Sequence, residues 1–118
     1  MDLVSTAQAY RQRSSDERAA REATRQTVLS QVTGVLRSAL TPGMNAWIFG
    51  SLANGEYSAR SDIDVAVTGL SVGALGLLER ALAAATGRAV DLLVLEMLPA
   101  DFQDRIVREG LRISGDAQ

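Results

Sequence analysis

Apolar residues in this chain occur in short runs separated by turn residues, a pattern typical of strands in a small layered domain. Three such runs lie at residues 44–49, 63–67 and 89–95. Between the last two, Ser71 can cap a helix over about residues 72–86, which Gly87 ends. A strand, helix, strand connection of this length favours a right-handed parallel crossover, so the early residues of the second and third strands should lie side by side.

A helix is predicted before the first strand, where the helical spacing of apolar residues is clearest. The apolar stripe of this helix consists of Val28, Leu29, Val32, Val35, Leu36 and Leu40. This helix should end near Leu40, before the break at residues 41–43. Residues 1–27 are polar over most of their length and are predicted as a solvated helical extension or a flexible arm. The alternative is an arm that binds a partner through Tyr10, Arg11, Arg13, Arg18, Arg21 and Arg25.

The end of the chain predicts a last helix and a short strand. Pro99 suits the first turn of a helix that ends at Gly110, after which residues 111–113 can form a strand. The predicted fold class is α/β (α+β), a small mixed β-sheet covered by helices. With 118 residues, 47% of them hydrophobic, the chain can build one core, so residues 1–118 are predicted to form a single domain.

Three aspartates interrupt the two later strands. Asp62 and Asp64 are two residues apart, so both carboxylates should leave the same face of the strand. Asp91 is the polar residue of an otherwise apolar run and is expected to be buried. Neighbouring carboxylates repel unless a cation lies between them, and such hard oxygen ligands suit Mg²⁺ or Mn²⁺. The pattern predicts a three-carboxylate nest for two metal ions, an arrangement that serves phosphoryl or nucleotidyl transfer.

Gly50 and Ser51 follow the first strand and are predicted to hold phosphate. Glycine lets the backbone approach an anion, while the serine hydroxyl and free N–H groups can donate to it. Residues 52–54 can begin a short helix whose N-terminus favours negative charge. Taken alone, a Gly-Ser pair is usually a turn, an Asp-x-Asp pair is usually a strand edge or cap, and Asp91 could pair with Arg88. Glu96 follows the third strand and is interpreted as a loop residue or cap.

Composition excludes several other chemistries. A net charge of −2, a pI near 5.0 and few aromatic residues argue against a general DNA or RNA binder. The chain has neither cysteine nor histidine, so general base catalysis must come from a carboxylate or metal-bound water. There is no apolar signal core and no run of about twenty apolar residues, so a cytoplasmic location is predicted.

Residues 50–64 resemble the signature of the minimal nucleotidyltransferases (MNT), a branch of the DNA polymerase β-like superfamily. They read Gly50-Ser51-Leu52-Ala53-Asn54-Gly55-Glu56-Tyr57-Ser58-Ala59-Arg60-Ser61-Asp62-Ile63-Asp64. With the later acid and the tail, the resemblance spans about residues 44–113. It implies an αβαβαβα nucleotidyltransferase fold, Mg²⁺ dependence, and transfer of a nucleoside monophosphate, commonly from ATP, with release of pyrophosphate. Many members carry arginines where this chain has Leu52 and Asn54, which leaves Arg60 as the nearest cation.

The resemblance also implies roles for the candidate residues. Asp62, Asp64 and Asp91 would be the catalytic and metal-binding acids, holding two Mg²⁺ ions, with Asp91 able to take the acceptor proton. The nucleotide-binding residues would be Gly50, Ser51, Arg60 and Ser61.

A partner is implied as well. Many minimal nucleotidyltransferases neutralise a helical HEPN ribonuclease toxin by transferring AMP to one of its tyrosines, so the expected role is that of an antitoxin. Two alternatives stay open: a non-catalytic antitoxin that acts by binding, and a transferase acting on a small molecule or RNA. A homo-oligomer could also complete a shallow acceptor site.

Overall fold

The structure, a computed structural model, describes residues 3–115 as an alternation of helices and strands. Residues 1, 2 and 116–118, which belong to the predicted domain, lie outside the described residues. The helices are α1 (Leu3–Ala39), α2 (Ser51–Asn54), α3 (Val72–Thr86) and α4 (Ala100–Glu109). The strands are β1 (Asn45–Phe49), β2 (Ile63–Val67), β3 (Val90–Val94) and β4 (Leu111–Ser114). The predicted fold class and element order are confirmed, with β4 added to the αβαβαβα series.

The four strands form one mixed sheet in the order β3-β2-β1-β4. β1 is antiparallel to β2 and to β4, whereas β2 and β3 are parallel. The parallel pair confirms the predicted crossover through α3. Ser71 caps α3 by accepting a hydrogen bond from the Ala74 N–H, and Gly87 ends it in a left-handed conformation. β3 is shorter than predicted because Leu95–Met97 form a turn of 3₁₀ helix.

Helices cover the sheet on both faces. One face packs against α1 and α3, with Val32, Leu36, Ile48, Val65 and Leu82 fully buried between them. The other face packs against α4 through a smaller cluster of Trp47, Ala66, Leu95 and Ile106. Alternate residues of a strand point to opposite faces, so odd-numbered residues of β1 and even-numbered residues of β2 share the α4 face. The register places Asp64 on that face.

α1 runs without a break for 37 residues. The polar extension is therefore helical over its described part, and the flexible-arm alternative is wrong there. From Ser5 onward its side chains are exposed almost throughout, and the first buried residue in that part is Val28. None of the helices in residues 3–115 combines the length and apolar character needed to span a bilayer.

Candidate active site

Gly50 is the point at which β1 turns into the signature loop, a name we use for residues 50–62. Its backbone has φ 69° and ψ −149°, and its carbonyl accepts hydrogen bonds from the N–H groups of Ala53 (3.1 Å) and Asn54 (3.0 Å). A Cβ atom at this position would overlap the Oδ2 atom of Asp64. The positive φ favours glycine, and a side chain here would also displace the Asp64 carboxylate from its present position. Gly50, and with it the start of α2 at Ser51, therefore lies directly against a predicted acid.

Strand register brings the acids together. Asp64 lies opposite Phe49 on β1 and opposite Asp91 on β3, so all three side chains leave the same face of the sheet. Asp62 precedes Asp64 by two positions, just before β2 begins. Both Asp62 and Asp91 interact electrostatically with the Asp64 carboxylate. We call Asp62, Asp64 and Asp91 the acidic edge.

Burial within the acidic edge differs from the expectation. Asp64 is half-buried, whereas Asp62 and Asp91 are exposed. The prediction that Asp91 is buried is wrong, because the apolar residues around it in β3 pack toward α3 while Asp91 points from the opposite face, where nothing covers it. An exposed Asp91 stays accessible to a second reactant.

The electrostatic state of Asp64 is unusual. Partial burial, followed by repulsion from Asp91 and then from Asp62, raises the pKa of the Asp64 carboxyl above its ordinary value. The two ion pairs among residues 3–115 are Arg25–Glu22 and Arg105–Glu109, so no described arginine forms an ion pair with the acidic edge. The alternative in which Arg88 pairs with Asp91 is therefore not observed. Negative charge accumulates here without a cationic partner from the described chain.

The chemistry of the acidic edge suits a divalent cation, but a finished nest is not present. Among the described residues, no three acids converge closely enough to hold a metal ion. Two of the acids are exposed and both repel the Asp64 carboxylate, and the three-carboxylate nest stays a prediction. The donor set still fits Mg²⁺, which prefers carboxylate oxygens and retains several waters. Only two of the carboxylates need to contact such an ion.

Ser61 and Ser58 hold the far end of the signature loop. The Ser61 hydroxyl accepts from the Ser58 N–H at 3.0 Å and lies 3.2 Å from the Ser58 hydroxyl, while the Ser61 N–H donates to the Ser58 carbonyl at 3.0 Å. The structure thus places Ser61, a predicted nucleotide-binding residue, in a contact that supports the loop. Arg60, the predicted cation, is exposed and lines a cavity of about 360 Å³ with Asp62 and Arg88.

Arg88, which lies just before β3, contacts the middle of the signature loop. Its Nη1 donates to the Ala59 carbonyl at 3.3 Å, and its guanidinium lies 5.2 Å from the centre of the Tyr57 ring. Tyr57 is 3% exposed, and its hydroxyl has no hydrogen-bond partner within the described structure. Burial raises the pKa of the Tyr57 hydroxyl, the nearby Arg88 guanidinium opposes this shift, and Asp62 adds to it. Tyr57 therefore serves the loop as an apolar anchor.

Two arginines near the loop were not found by sequence reasoning. Arg25 of α1 donates hydrogen bonds to two carbonyls of α2. Its side chain therefore points toward the core, whereas the partner-binding alternative expected it to face a partner.

Arg105 of α4 shares a cavity of about 260 Å³ with Gly50, Phe49 and Phe102. Glu96, read as a loop residue or cap, accepts from the Gly69 N–H at 3.1 Å. Only tertiary contacts reveal these roles, since the partners are far apart in the chain.

Comparison with known proteins identifies the family. The family described as polymerase β nucleotidyltransferase matches residues 43–117. The chain belongs to this nucleotidyltransferase family. The match begins just before β1 and includes both the signature loop and the acidic edge, in agreement with the resemblance of the sequence to minimal nucleotidyltransferases. The comparison with curated proteins found no significant match.

Solved structures with the same fold extend this assignment. A chain in a crystal structure of a toxin-antitoxin with AMP-PNP is 29% identical, with a TM-score of 0.59 over 75% of this chain and 74% of that one. A minimal nucleotidyltransferase is 26% identical, with a TM-score of 0.53 over 80% of this chain and 93% of that one. A chain from the Shewanella oneidensis complex of tri-AMPylated HEPN toxin with MNT antitoxin is 23% identical, with a TM-score of 0.54 over 78% and 73%, and shows the shared fold.

Proposed function

We propose that this nucleotidyltransferase moves AMP from ATP to a hydroxyl group, that Mg²⁺ assists the transfer, and that the acceptor is a tyrosine of a HEPN-type toxin. The observation that carries the proposal is the contact of Gly50 with Asp64. It unites a backbone suited to phosphate with a carboxylate that has no cationic partner. Family membership supports nucleotidyl transfer. The likeness to a toxin-antitoxin structure with AMP-PNP supports an adenine nucleotide and an antitoxin role.

In this proposal the signature loop binds the triphosphate. The N–H groups of Gly50 and Ser51 and the Ser51 hydroxyl donate to the terminal phosphates. The absence of a side chain at Gly50 lets these phosphates approach the edge of the sheet beside Asp64. Arg60 is free to neutralise phosphate charge from the solvent side, and Ser61 contributes by holding the loop.

The acidic edge would supply the ligands for Mg²⁺ in the proposed reaction, with Asp64 half-buried and Asp62 and Asp91 exposed near it. When bound, the ion would neutralise triphosphate charge and lower the pKa of the acceptor hydroxyl. The acceptor oxygen forms a bond to the α-phosphorus as the bond from that phosphorus to the bridging β-phosphate oxygen breaks, and pyrophosphate leaves. Asp91 takes the hydroxyl proton, since the chain has no histidine and Asp91 is an exposed acid that lies opposite Asp64 on the neighbouring strand.

The acceptor would be held largely by the partner. The acidic edge is open on the side of Asp62 and Asp91, so an entering tyrosine meets exposed carboxylates. The exposed helical extension of α1 offers additional surface for the toxin. A cytoplasmic location, shared with such a partner, stays a prediction.

To test this proposal, the purified protein is incubated with ATP and Mg²⁺, with and without the protein encoded beside its gene. Intact mass analysis then detects any added AMP. The expected result is AMP added to the partner by the wild type and lost in Asp64→Ala. Asp101→Ala is the matched control, because Asp101 is an exposed acid on α4. Transfer that survives in Asp64→Ala would overturn the proposed mechanism. A stable complex with no mass change would favour an antitoxin that acts by binding.

A further inference from the structure

Arg25 connects the polar half of α1 to the signature loop. Its Nε donates to the Leu52 carbonyl at 2.9 Å, and its Nη2 donates to the Ala53 carbonyl at 3.3 Å. Its Nη1 pairs with the Glu22 carboxylate at 2.8 Å. The Arg25 side chain is 14% exposed, although its neighbours along α1 are exposed. Each guanidinium nitrogen thus has a partner in the protein, and together these contacts hold the side chain against α2.

The recipient of these bonds, α2, is a helix that needs outside support. It has four residues, so the entropy lost in forming it is compensated by very few internal hydrogen bonds. The last carbonyls of any helix lack intrahelical partners, and a cation near them also interacts favourably with the helix dipole. Arg25 meets both requirements for α2, while the buried Leu52 side chain anchors the helix in the core.

The shape of α2 determines the backbone at Gly50. The N–H groups of Ala53 and Asn54 both donate to the Gly50 carbonyl, so the turn at Gly50 is closed by α2. If α2 opened, that carbonyl would lose both donors and the peptide groups of Gly50 and Ser51 would be free to rotate. The contacts of Arg25 therefore affect the Gly50 backbone indirectly, through α2.

We infer that Arg25 is a positioning residue of the nucleotide site, which holds α2 so that Gly50 and Ser51 present their N–H groups to the terminal phosphates of a nucleoside triphosphate. The inference rests on the proposed function. Without Arg25, α2 would become ordered only when the nucleotide binds. The conformational entropy lost in that ordering would make the free energy of binding less favourable. Once the nucleotide is bound the geometry is restored. The loss should therefore appear in KM for ATP more than in kcat.

Amide hydrogen exchange of the nucleotide-free protein tests the contact itself. Arg25→Ala should speed exchange at the Ala53 and Asn54 amides, which close the turn, with little change in β1 and β2. Arg25→Lys keeps the charge but cannot form the fork of bonds, so its exchange should lie between that of the alanine variant and the wild type. Arg37→Ala is the matched control, since Arg37 is an exposed arginine of the same helix. Equal exchange in Arg25→Ala and Arg37→Ala would overturn the inference.

Binding and kinetics test its consequence. In Arg25→Ala, the affinity for AMP-PNP with Mg²⁺ should fall, and KM for ATP should rise, by about tenfold or more. Both changes should be smaller in Arg25→Lys. In each variant kcat should change less than KM. Affinity for AMP, which lacks the terminal phosphates, should stay within about twofold of the wild type. Equal weakening of AMP and AMP-PNP would overturn the inference, because it would indicate general damage to the site.

The two arms separate failure of this inference from failure of the proposed function. A wild-type protein that neither binds AMP-PNP nor transfers AMP would contradict the proposed function and with it the nucleotide role of Arg25. Should Arg25→Ala fail to fold, Arg25→Lys carries both measurements. An unchanged KM in Arg25→Lys together with unchanged exchange at Ala53 and Asn54 would then contradict the inference.

Discussion

The signature loop and the acidic edge lie against each other, yet they satisfy their polar groups in opposite ways. The loop is supported along its length by Arg25 at α2, by Arg88 at Ala59, and by hydrogen bonds between Ser58 and Ser61. The acidic edge has no comparable support, for none of its carboxylates takes part in an ion pair within residues 3–115. One region is built to keep a shape, and the other is left with charge to be neutralised.

This difference separates residues that position from residues suited to react. A folded protein normally pairs its buried polar groups, so a half-buried carboxylate held beside two others is costly in the absence of a ligand. Such a cost is expected where a cation and a charged substrate complete the site. Substitutions in the acidic edge should therefore reduce activity without loss of stability, whereas loop substitutions that strain the backbone or remove a supporting contact should reduce both.

The largest effect should come from Asp64→Asn. We expect transfer to fall by at least about 1000-fold, because a neutral amide is a poor ligand for Mg²⁺ and a poor match to the charge of the reaction. Without divalent cations the same variant should be more stable than the wild type at neutral pH, since the desolvated and repelled charge is gone. Transfer assays and urea unfolding in a chelating buffer measure the two effects. A variant that is inactive and also less stable would contradict the view that the acidic edge serves activity and not stability.

Gly50→Ala should damage both regions at once. Its Cβ would overlap Asp64 and its φ of 69° is strained for alanine, so we expect transfer to fall by about 100-fold. The free energy of unfolding should fall by about 1–3 kcal/mol. Gly76→Ala is the control, because Gly76 lies within α3 with open space around it and should gain about 0.5–1 kcal/mol. Normal activity in Gly50→Ala would show that the close approach is not required.

The dependence of stability on pH should identify Asp64 as the strained acid. Its pKa in the folded state is raised above the ordinary value of 3.8, so the folded protein binds this proton more tightly than the unfolded chain. The resulting stabilisation is fully present below pH 3.8 and is lost as pH rises through the folded pKa. The stability advantage of Asp64→Asn should thus be small near pH 4 and grow toward about pH 7. Denaturant unfolding of both proteins across this range, without metal, checks the sign, and an advantage that shrinks with pH would contradict it.

The smallest effect should come from Tyr57→Phe, within the well-supported region. The Tyr57 hydroxyl is buried without a hydrogen-bond partner, so its removal should leave stability unchanged or raise it by up to about 1 kcal/mol. The ring that Arg88 covers is retained. Tyr10→Phe serves as the control at an exposed position and should change stability by less than about 0.5 kcal/mol. A loss of more than about 1 kcal/mol in Tyr57→Phe would show that the hydroxyl has a partner in solution.

Much of the fold was predictable because its signals are local. The period of apolar residues located β2 and α3 with their bounds, and the Ser71 and Gly87 caps marked the ends of α3. The spacing of Asp62 and Asp64, with the parallel crossover, predicted that Asp91 would lie beside Asp64, and the strand register confirms it. Family signatures act in the same way, since they are short stretches whose residues are neighbours in the chain. The assignment of individual site residues to catalysis stays a prediction.

The predictions from sequence were wrong where the burial of a side chain depends on elements distant in the chain. Asp91 was expected to be buried because its neighbours in sequence are apolar, but only the α3 side of β3 is covered near it. Arg25 was grouped with the exposed arginines of the extension, whereas its partners lie 27 and 28 residues away. Composition within a segment cannot indicate which of several arginines meets a carbonyl from another element.

The amino-acid sequence by itself determined the order of helices and strands, the glycine at the turn after β1, and the placement of Asp64 and Asp91 on neighbouring strands. These follow from backbone sterics, apolar periodicity and residue spacing, which act over a few residues. Tertiary structure alone decided that Asp64 is desolvated against Gly50, that Asp91 faces solvent, and that Arg25 and Arg88 support the loop. Desolvation, repulsion and hydrogen bonding depend on distances between atoms far apart in the chain, and these distances exist only once α1, α2 and the sheet have packed together.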